Sequence, residues 1–442
     1  MKFLGMLLGI LTLALWYRPR TVAGAILFWA PKLISGALAP LQAVLGAVLA
    51  LYGLVKRDWA LTGMGAAESA LHTAHVQQVS RDRTSAFDTL FGQGWRARIP
   101  KPLADQFLPR PWQPLFLPSH DIIWQRDLIV GKKYAGGPLL ADLWQPKPGR
   151  WRSGLAILYT HGGAWRYGNK DMLTRPQFRH LAHQGHVILD IDYSITEETP
   201  IEAMVRETKQ ALLWLKQHAG NYGIDPNRIV LMGGSAGAHL ALLTAYTPGH
   251  RAFRPRNMSG DERVLGVIAY YPPVDFHELY RHNVRQVQFD NENPWAQPLA
   301  WLMFLLLKAL GFAEDMSHLS ADNNFLTRLL GGTPDRIPER YRLLSPINHV
   351  SPTSPPTLIL IGKDDFFRFH PGAVALHRQL RRVGAGSALI DFPHTDHAFD
   401  LVLPQFSPAA QAAIFHIERF LAGLLGQGGS ANAILSDGSV YA

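Results

Sequence analysis

The chain contains no cysteine in 442 residues. That absence excludes a disulfide scaffold, thiolate metal sites, iron–sulfur clusters and a thiol nucleophile. A chain of this length buries a core without bridges. Charge is also sparse, at 17% of residues against 47% hydrophobic, which excludes a disordered, collagen-like or acidic solvating protein. The net charge of +9 sits mostly at one end, because residues 1–110 hold twelve Lys/Arg and five acids. The rest is nearly balanced and has no surplus suited to tracking a phosphate backbone, so no nucleic-acid partner is expected. No repeat period is present.

Long apolar runs are present instead. Residues 3–17 carry no charge, and residues 33–55 form a 23-residue uncharged run closed by Lys56-Arg57; a spanning helix needs about 20 residues. Residues 1–57 are therefore expected to be a membrane anchor, a transmembrane region of helices broken at Arg18-Pro19-Arg20 and at Pro31-Lys32. A signal peptide over the first ~20 residues is the competing reading, although apolar character resumes after Arg20. Residues 58–118 are expected as a juxtamembrane amphipathic segment and linker, helical over 60–78, with Trp95, Arg96 and Arg98 suited to the headgroup region. Packing of this segment on the body is the alternative. If both long runs cross, Lys2 and the body share one side, and the Lys/Arg balance makes that side cytoplasmic.

From residue 119 the pattern changes. Short β-rich runs at 139–144, 155–160, 187–193, 228–232, 264–270, 357–361 and 388–392 alternate with helical runs at 175–184, 201–218, 236–246, 371–383 and 408–425. The alternation predicts an α/β domain over 119–425, with a mostly parallel sheet covered by helices on both faces. Sites in such folds lie at the carboxyl ends of strands. A cap is expected at about 276–344, with the apolar stretch 295–312 as a lid helix that meets lipid or lines an acyl pocket, or as a plain buried helix. Residues 426–442 read as a flexible tail.

The chemistry lies where the strands end. The run 228–232 leads into Gly233-Gly234-Ser235-Ala236-Gly237 and then helix-forming sequence. A serine on a sharp strand-to-helix turn needs small neighbours two positions either side, and the turn exposes its hydroxyl at a helix N-terminus. Upstream, 155–160 ends in His161-Gly162-Gly163-Ala164-Trp165. The amides of Gly162 and Gly163, with that of Ala236, can meet the negative oxygen of a tetrahedral intermediate. Serine also needs a base and a carboxylate, following it in chain order. Asp364 and Asp365 follow the strand at 357–361, and His394 and His397 follow the next. His180 and His183, or His72 and His75, are spaced for one helix face but lack carboxylate companions, so no metal site is expected.

The stretches HGGAW (161–165), Asp192-Tyr193, YGIDPNRIVLMGGSAGAHLA (222–241), YPPVDF (271–276), LSPINHVSPTSPPTLILIGKDD (344–365) and HTDHAF (394–399) resemble the α/β-hydrolase carboxylesterases of the hormone-sensitive-lipase-like and formamidase-like groups. The resemblance covers about 139–425. It implies an α/β-hydrolase fold and selects Asp365 over Asp364 and His397 over His394, giving a Ser235–His397–Asp365 triad with Gly162, Gly163 and Ala236 as oxyanion hole. Trp165 is then expected at the substrate. The implied activity is serine carboxylesterase or lipase action on lipophilic esters, with the bilayer as partner and no cofactor or metal. An amidase, formamidase or peptidase on the same triad, or a non-catalytic membrane-bound binding protein, are the alternatives. Departures from the family pattern are Tyr193-Ser194, where Tyr-Arg is common, and Asp365-Phe366, where Asp-Pro is common; both bear on substrate preference.

Overall fold

The computed structural model describes residues 1–19, 22–114, 120–196, 198–255, 258–292 and 324–427. The expected lid stretch 295–312 and most of the expected tail lie outside the described residues, as does 115–119. Eight strands form one sheet in the order β1-β2-β4-β3-β5-β6-β7-β8: β1 (Ile123–Lys132), β2 (Pro138–Gln145), β3 (Ala156–Thr160), β4 (Val187–Ile191), β5 (Ile229–Gly234), β6 (Gly266–Tyr270), β7 (Thr357–Gly362) and β8 (Ser387–Phe392). Pairing is antiparallel from β1 through β2 to β4 and parallel elsewhere. Side chains alternate between the two faces of a strand, so the complete burial of β3 to β7 requires cover on both faces.

That cover comes from α5 (Arg175–His183), α6 (Ile201–Gln217), α7 (Ala236–Tyr246), α9 (Phe369–Arg382) and α10 (Pro408–Gln427), while α8 (Phe276–Glu292) packs on other helices. Strand β1 has no counterpart in the sequence reading. Polar Gln125, Arg126 and Asp127 interrupt its apolar alternation at a register shift between Gln125 and Leu128, where Asp127 has φ 58°. A bulge of this kind hides an edge strand from a period-two search.

Four long helices, followed by short helical turns, precede the body: α1 (Lys2–Trp16), α2 (Val22–Ala37), α3 (Ala39–Val55) and α4 (Trp59–Val79). The expected break at Pro31-Lys32 does not occur, since α2 runs through Pro31. The chain turns instead at Leu38, and the axes on its two sides differ by 76°. Pro40 has no N–H and its ring collides with the carbonyl four residues earlier, which ends α2 and starts α3. The run 33–55 is thus two helices, and among the described residues no single helix is long and apolar enough to cross a membrane. A boundary at residue 57 also falls inside a tight hairpin of α3 and α4, closed by Asp58, whose carboxylate accepts from the Leu61 amide.

The exterior of this bundle is apolar, while its interior mixes apolar side chains such as Leu15, Leu49 and Val79 with polar ones. Of the 23 large hydrophobic side chains exposed among the described residues, 18 lie in residues 1–71, including Phe3, Ile10 and Leu13 of α1 and Val44, Leu51 and Val55 of α3. Its buried side chains include Thr12, Ser35, Gln42, Glu68, His72 and His75. The two ends of α1 also separate Lys2 from the body. Lys2 lies 3.7 Å from Asp58 at the far tip, whereas Trp16 packs on His394 of the body with ring centroids 4.0 Å apart. Lys2 and the catalytic body therefore do not share one end of the bundle, contrary to the sequence expectation.

Candidate active site

Register in the parallel sheet brings the motifs together. Thr160 of β3 pairs with Gly233 of β5, and Gly234 pairs with Tyr270 of β6, so the HGG loop and the serine turn leave adjacent strand ends. Ser235 has φ 54° and ψ −121° and caps α7, and its amide donates to the Tyr270 carbonyl at 3.0 Å. A non-glycine residue at positive φ is strained, and the turn holds it by packing too tight for side chains. A β-carbon on Gly237 would overlap the Thr160 carbonyl oxygen.

The structure brings Ser235, His397 and Asp365 together. His397 Nε2 lies 3.0 Å from Ser235 Oγ, and His397 Nδ1 lies 2.7 Å from Asp365 Oδ2. The Asp365 and His397 side chains are buried. Asp365 Oδ1 also accepts from the Phe367 amide at 3.0 Å, which fixes the carboxylate. An Nδ1–H donated to the carboxylate leaves Nε2 as acceptor for the serine hydroxyl.

Gly162 passes close to the Gly234 carbonyl and Ser235 Cβ. Among the described residues, the amides of Gly162, Gly163 and Ala236 have no hydrogen-bond acceptor. Gly163 has φ 120°, and a β-carbon there would overlap the Tyr167 carbonyl. Trp165, expected at the substrate, is 4% exposed and enclosed by His239, Phe276 and Phe325, with its indole nitrogen 3.3 Å from His239 Nδ1. The ring is thus packed against these three side chains in the structure, with little surface exposed.

Asp364 and His394, the unselected pair, serve the N-terminal helices. Asp364 Oδ2 accepts from Lys32 Nζ at 2.9 Å, and Arg18 Nε lies 2.8 Å from Oδ1. Trp29 Nε1 donates to the His397 carbonyl at 2.8 Å, and its ring lies 5.6 Å from Phe366. These contacts from α1 and α2 to both catalytic loops have no local sequence signal, because the partners are more than 300 residues apart.

Several supporting groups were also not singled out in the sequence. Asp396 Oδ1 accepts from the amides of His397 and Phe366, at 2.7 and 2.8 Å. A proline in place of Phe366 would have no amide to give, which accounts for that departure from the family pattern. Burial raises the Asp396 carboxyl to about 6. Tyr271 packs 4.3 Å from the His397 ring, and its hydroxyl donates to Asp400 at 2.6 Å. Burial raises Asp400 to about 6 as well. Tyr193 stacks on His161 and donates to its carbonyl, and Ser194 bonds Glu207 through both amide and hydroxyl. No cluster of three or more His or acidic side chains placed for a metal occurs among the described residues.

The BD-FAE family model matches residues 141–380. The chain is 29% identical over 390 residues to the probable carboxylic ester hydrolase LipM of Mycobacterium tuberculosis, covering 85% of this chain and 81% of that protein. It is 25% identical over 264 residues to the esterase LipQ of the same organism, covering 59% of this chain and 54% of that protein. Among solved structures, a truncated carbohydrate esterase from gut microbiota superposes with a TM-score of 0.52 at 19% identity, over 71% of this chain and 99% of that one. That last likeness concerns the fold alone.

Proposed function

This chain belongs to the BD-FAE family and is a carboxylic ester hydrolase of the α/β-hydrolase fold, and we propose that it acts through a Ser235–His397–Asp365 triad on lipophilic esters at a membrane. The hydrogen-bonded relay from Ser235 Oγ through His397 to Asp365 carries this reading. His397 Nε2 takes the Ser235 proton as Oγ attacks the ester carbonyl, and Asp365 stabilises the imidazolium that forms. The amides of Gly162, Gly163 and Ala236 receive the oxyanion. His397 then returns the proton to the leaving alkoxide, and water, activated by the same imidazole, releases the acid from the acyl-enzyme.

The apolar exterior of the bundle supports membrane attachment. So many exposed large hydrophobic side chains fit a lipid surrounding, and water would disfavour them. The α3 and α4 lengths, at 1.5 Å per residue, reach roughly 25–32 Å, comparable to a hydrocarbon core. Basic residues flank both tips, with Lys2, Lys56 and Arg57 at one and Arg18, Arg81 and Arg83 toward the other. Phe366, Phe367 and Phe369 around His397 favour an apolar ester.

The test is turnover by detergent-solubilised full-length protein of 4-nitrophenyl esters of increasing chain length, alongside matched anilides and formamides. Ester turnover that improves with chain length supports the reading. Preferential cleavage of the anilide or formamide replaces it with the amidase alternative.

A further inference from the structure

Beside the triad lies a cavity of about 540 Å³ at the carboxyl ends of β6 and β7. One wall is Pro272 to Val274 and the first turns of α8; the other runs from Phe367 to Gly372. Phe367 joins it to the reaction centre, with its ring 4.8 Å from that of His397. Three exposed arginines are among the residues that line it: Arg281 and Arg285, one turn apart on α8, and Arg368, whose amide donates to the Asp365 carbonyl. Arg368 has φ 59°, a conformation outside the ordinary range for a side-chain-bearing residue.

Among the described residues, none of the three arginines has a carboxylate within ion-pair distance. The cavity also holds two acids. Asp275 is occupied as a cap, accepting from the amides of His277 and Glu278, and Glu278 is exposed on the first turn of α8. His282 shares the cavity and is held below its ordinary value by burial and by Arg368 and Arg285. Three permanent positive charges against two acids leave an excess of one; apolar Val274, Leu279, Phe367 and Phe369 also line the cavity, and the rings of the last two lie 4.8 and 5.6 Å from that of His397.

Resting on the esterase reading, we propose that this cavity is a subsite for an anionic group carried by the substrate, so that the preferred esters are amphiphiles bearing a carboxylate or phosphate away from the scissile bond. Guanidinium groups recognise both oxyanions through paired N–H donors. The apolar stretch toward His397 accommodates the chain that links anion and ester.

Two measurements on full-length protein in neutral detergent test it. The first compares kcat/KM for mono-4-nitrophenyl suberate, which ends in a carboxylate, with that for 4-nitrophenyl octanoate. Wild type favours the suberate ester, and Arg281→Gln or Arg285→Gln lowers the suberate-to-octanoate ratio about tenfold, chiefly through KM. Raising the salt concentration lowers the ratio too. The second is calorimetric titration of 1-octylphosphonate into the Ser235→Ala protein, where the double arginine variant binds at least about tenfold more weakly. A ratio near one in wild type that neither substitution moves would overturn the proposal. Inhibition of octanoate turnover by inorganic phosphate, with both esters handled alike, would mean that the cavity takes a free anion, and would also overturn it. If neither ester is turned over, the esterase reading fails, and the phosphonate titration still decides the subsite.

Discussion

Lys32 and Asp364, 332 positions apart in the chain, form a buried ion pair at 2.9 Å with both side chains 2% exposed. Lys32 belongs to the N-terminal helices and Asp364 directly precedes Asp365, so the N-terminal bundle packs against the loop that carries the proposed triad acid. Breaking a buried pair costs stability, and in Lys32→Met the buried Asp364 carboxylate is left with the largely exposed Arg18 as its close cationic partner. Lys32→Met is therefore expected to lower the unfolding midpoint and the turnover of a short soluble ester, and adding Asp364→Asn to it should restore part of the stability. Deleting residues 1–57 removes Lys32 and the Trp29 donor to the His397 carbonyl, and should impair activity. An unchanged midpoint and turnover in the deletion would contradict this coupling.

Asp365 and Asp364 should separate cleanly by substitution. Asp365→Asn removes the acceptor that sets the His397 tautomer and should lower kcat by about 10⁴-fold with the fold retained. Asp364→Asn should leave kcat within about tenfold and act mainly on stability. Steady-state kinetics with thermal melts of both variants would show the reverse ranking if the assignment were wrong.

Gly163→Ala should disable the oxyanion loop. Its positive φ and the Tyr167 carbonyl leave no room for a methyl group, so the 162–163 amides must shift. A fall in kcat of about 10²-fold or more, with a small change in KM, is expected. A variant with wild-type kcat would remove Gly163 from the oxyanion site.

Asp400 gives a pH signature in stability. Burial holds its carboxyl at about 6, above the ordinary unfolded value near 3.9. Between those values the native chain binds a proton that the unfolded chain does not. This group's destabilisation is therefore full above pH 6 and is relieved as the pH falls toward 4, by up to about 3 kcal/mol. Asp400→Asn keeps an acceptor for Tyr271 and removes the ionisation. Its midpoint should exceed that of wild type at pH 7.5, and the difference should vanish near pH 4. A difference independent of pH would contradict the raised carboxyl.

The parallel core was legible because buried strands such as 357–362 are continuous apolar runs, and the triad because each member follows such a run in a fixed order. Strand β1 was not, since its bulge at Gln125 to Leu128 breaks the alternation that reveals an edge strand. The turn at Leu38 was misplaced because a proline inside a helix and one at its second position look alike in sequence, and only packing decided between Pro31 and Pro40. Trp165 was assigned to the substrate from its motif, while its enclosure by His239, Phe276 and Phe325 depends on distant segments. The Lys32–Asp364 pair was hidden for the same reason, and it ties the N-terminal helices to the loop that carries Asp365.

The nucleophile is tested most directly by labelling full-length protein with a fluorophosphonate and locating the adduct by peptide mass spectrometry. The account predicts one adduct per chain, on Ser235, formed in step with loss of ester turnover, absent from Ser235→Ala and strongly slowed in His397→Asn. An adduct on another residue, or a Ser235→Ala protein that still turns over esters at the wild-type rate, would contradict it.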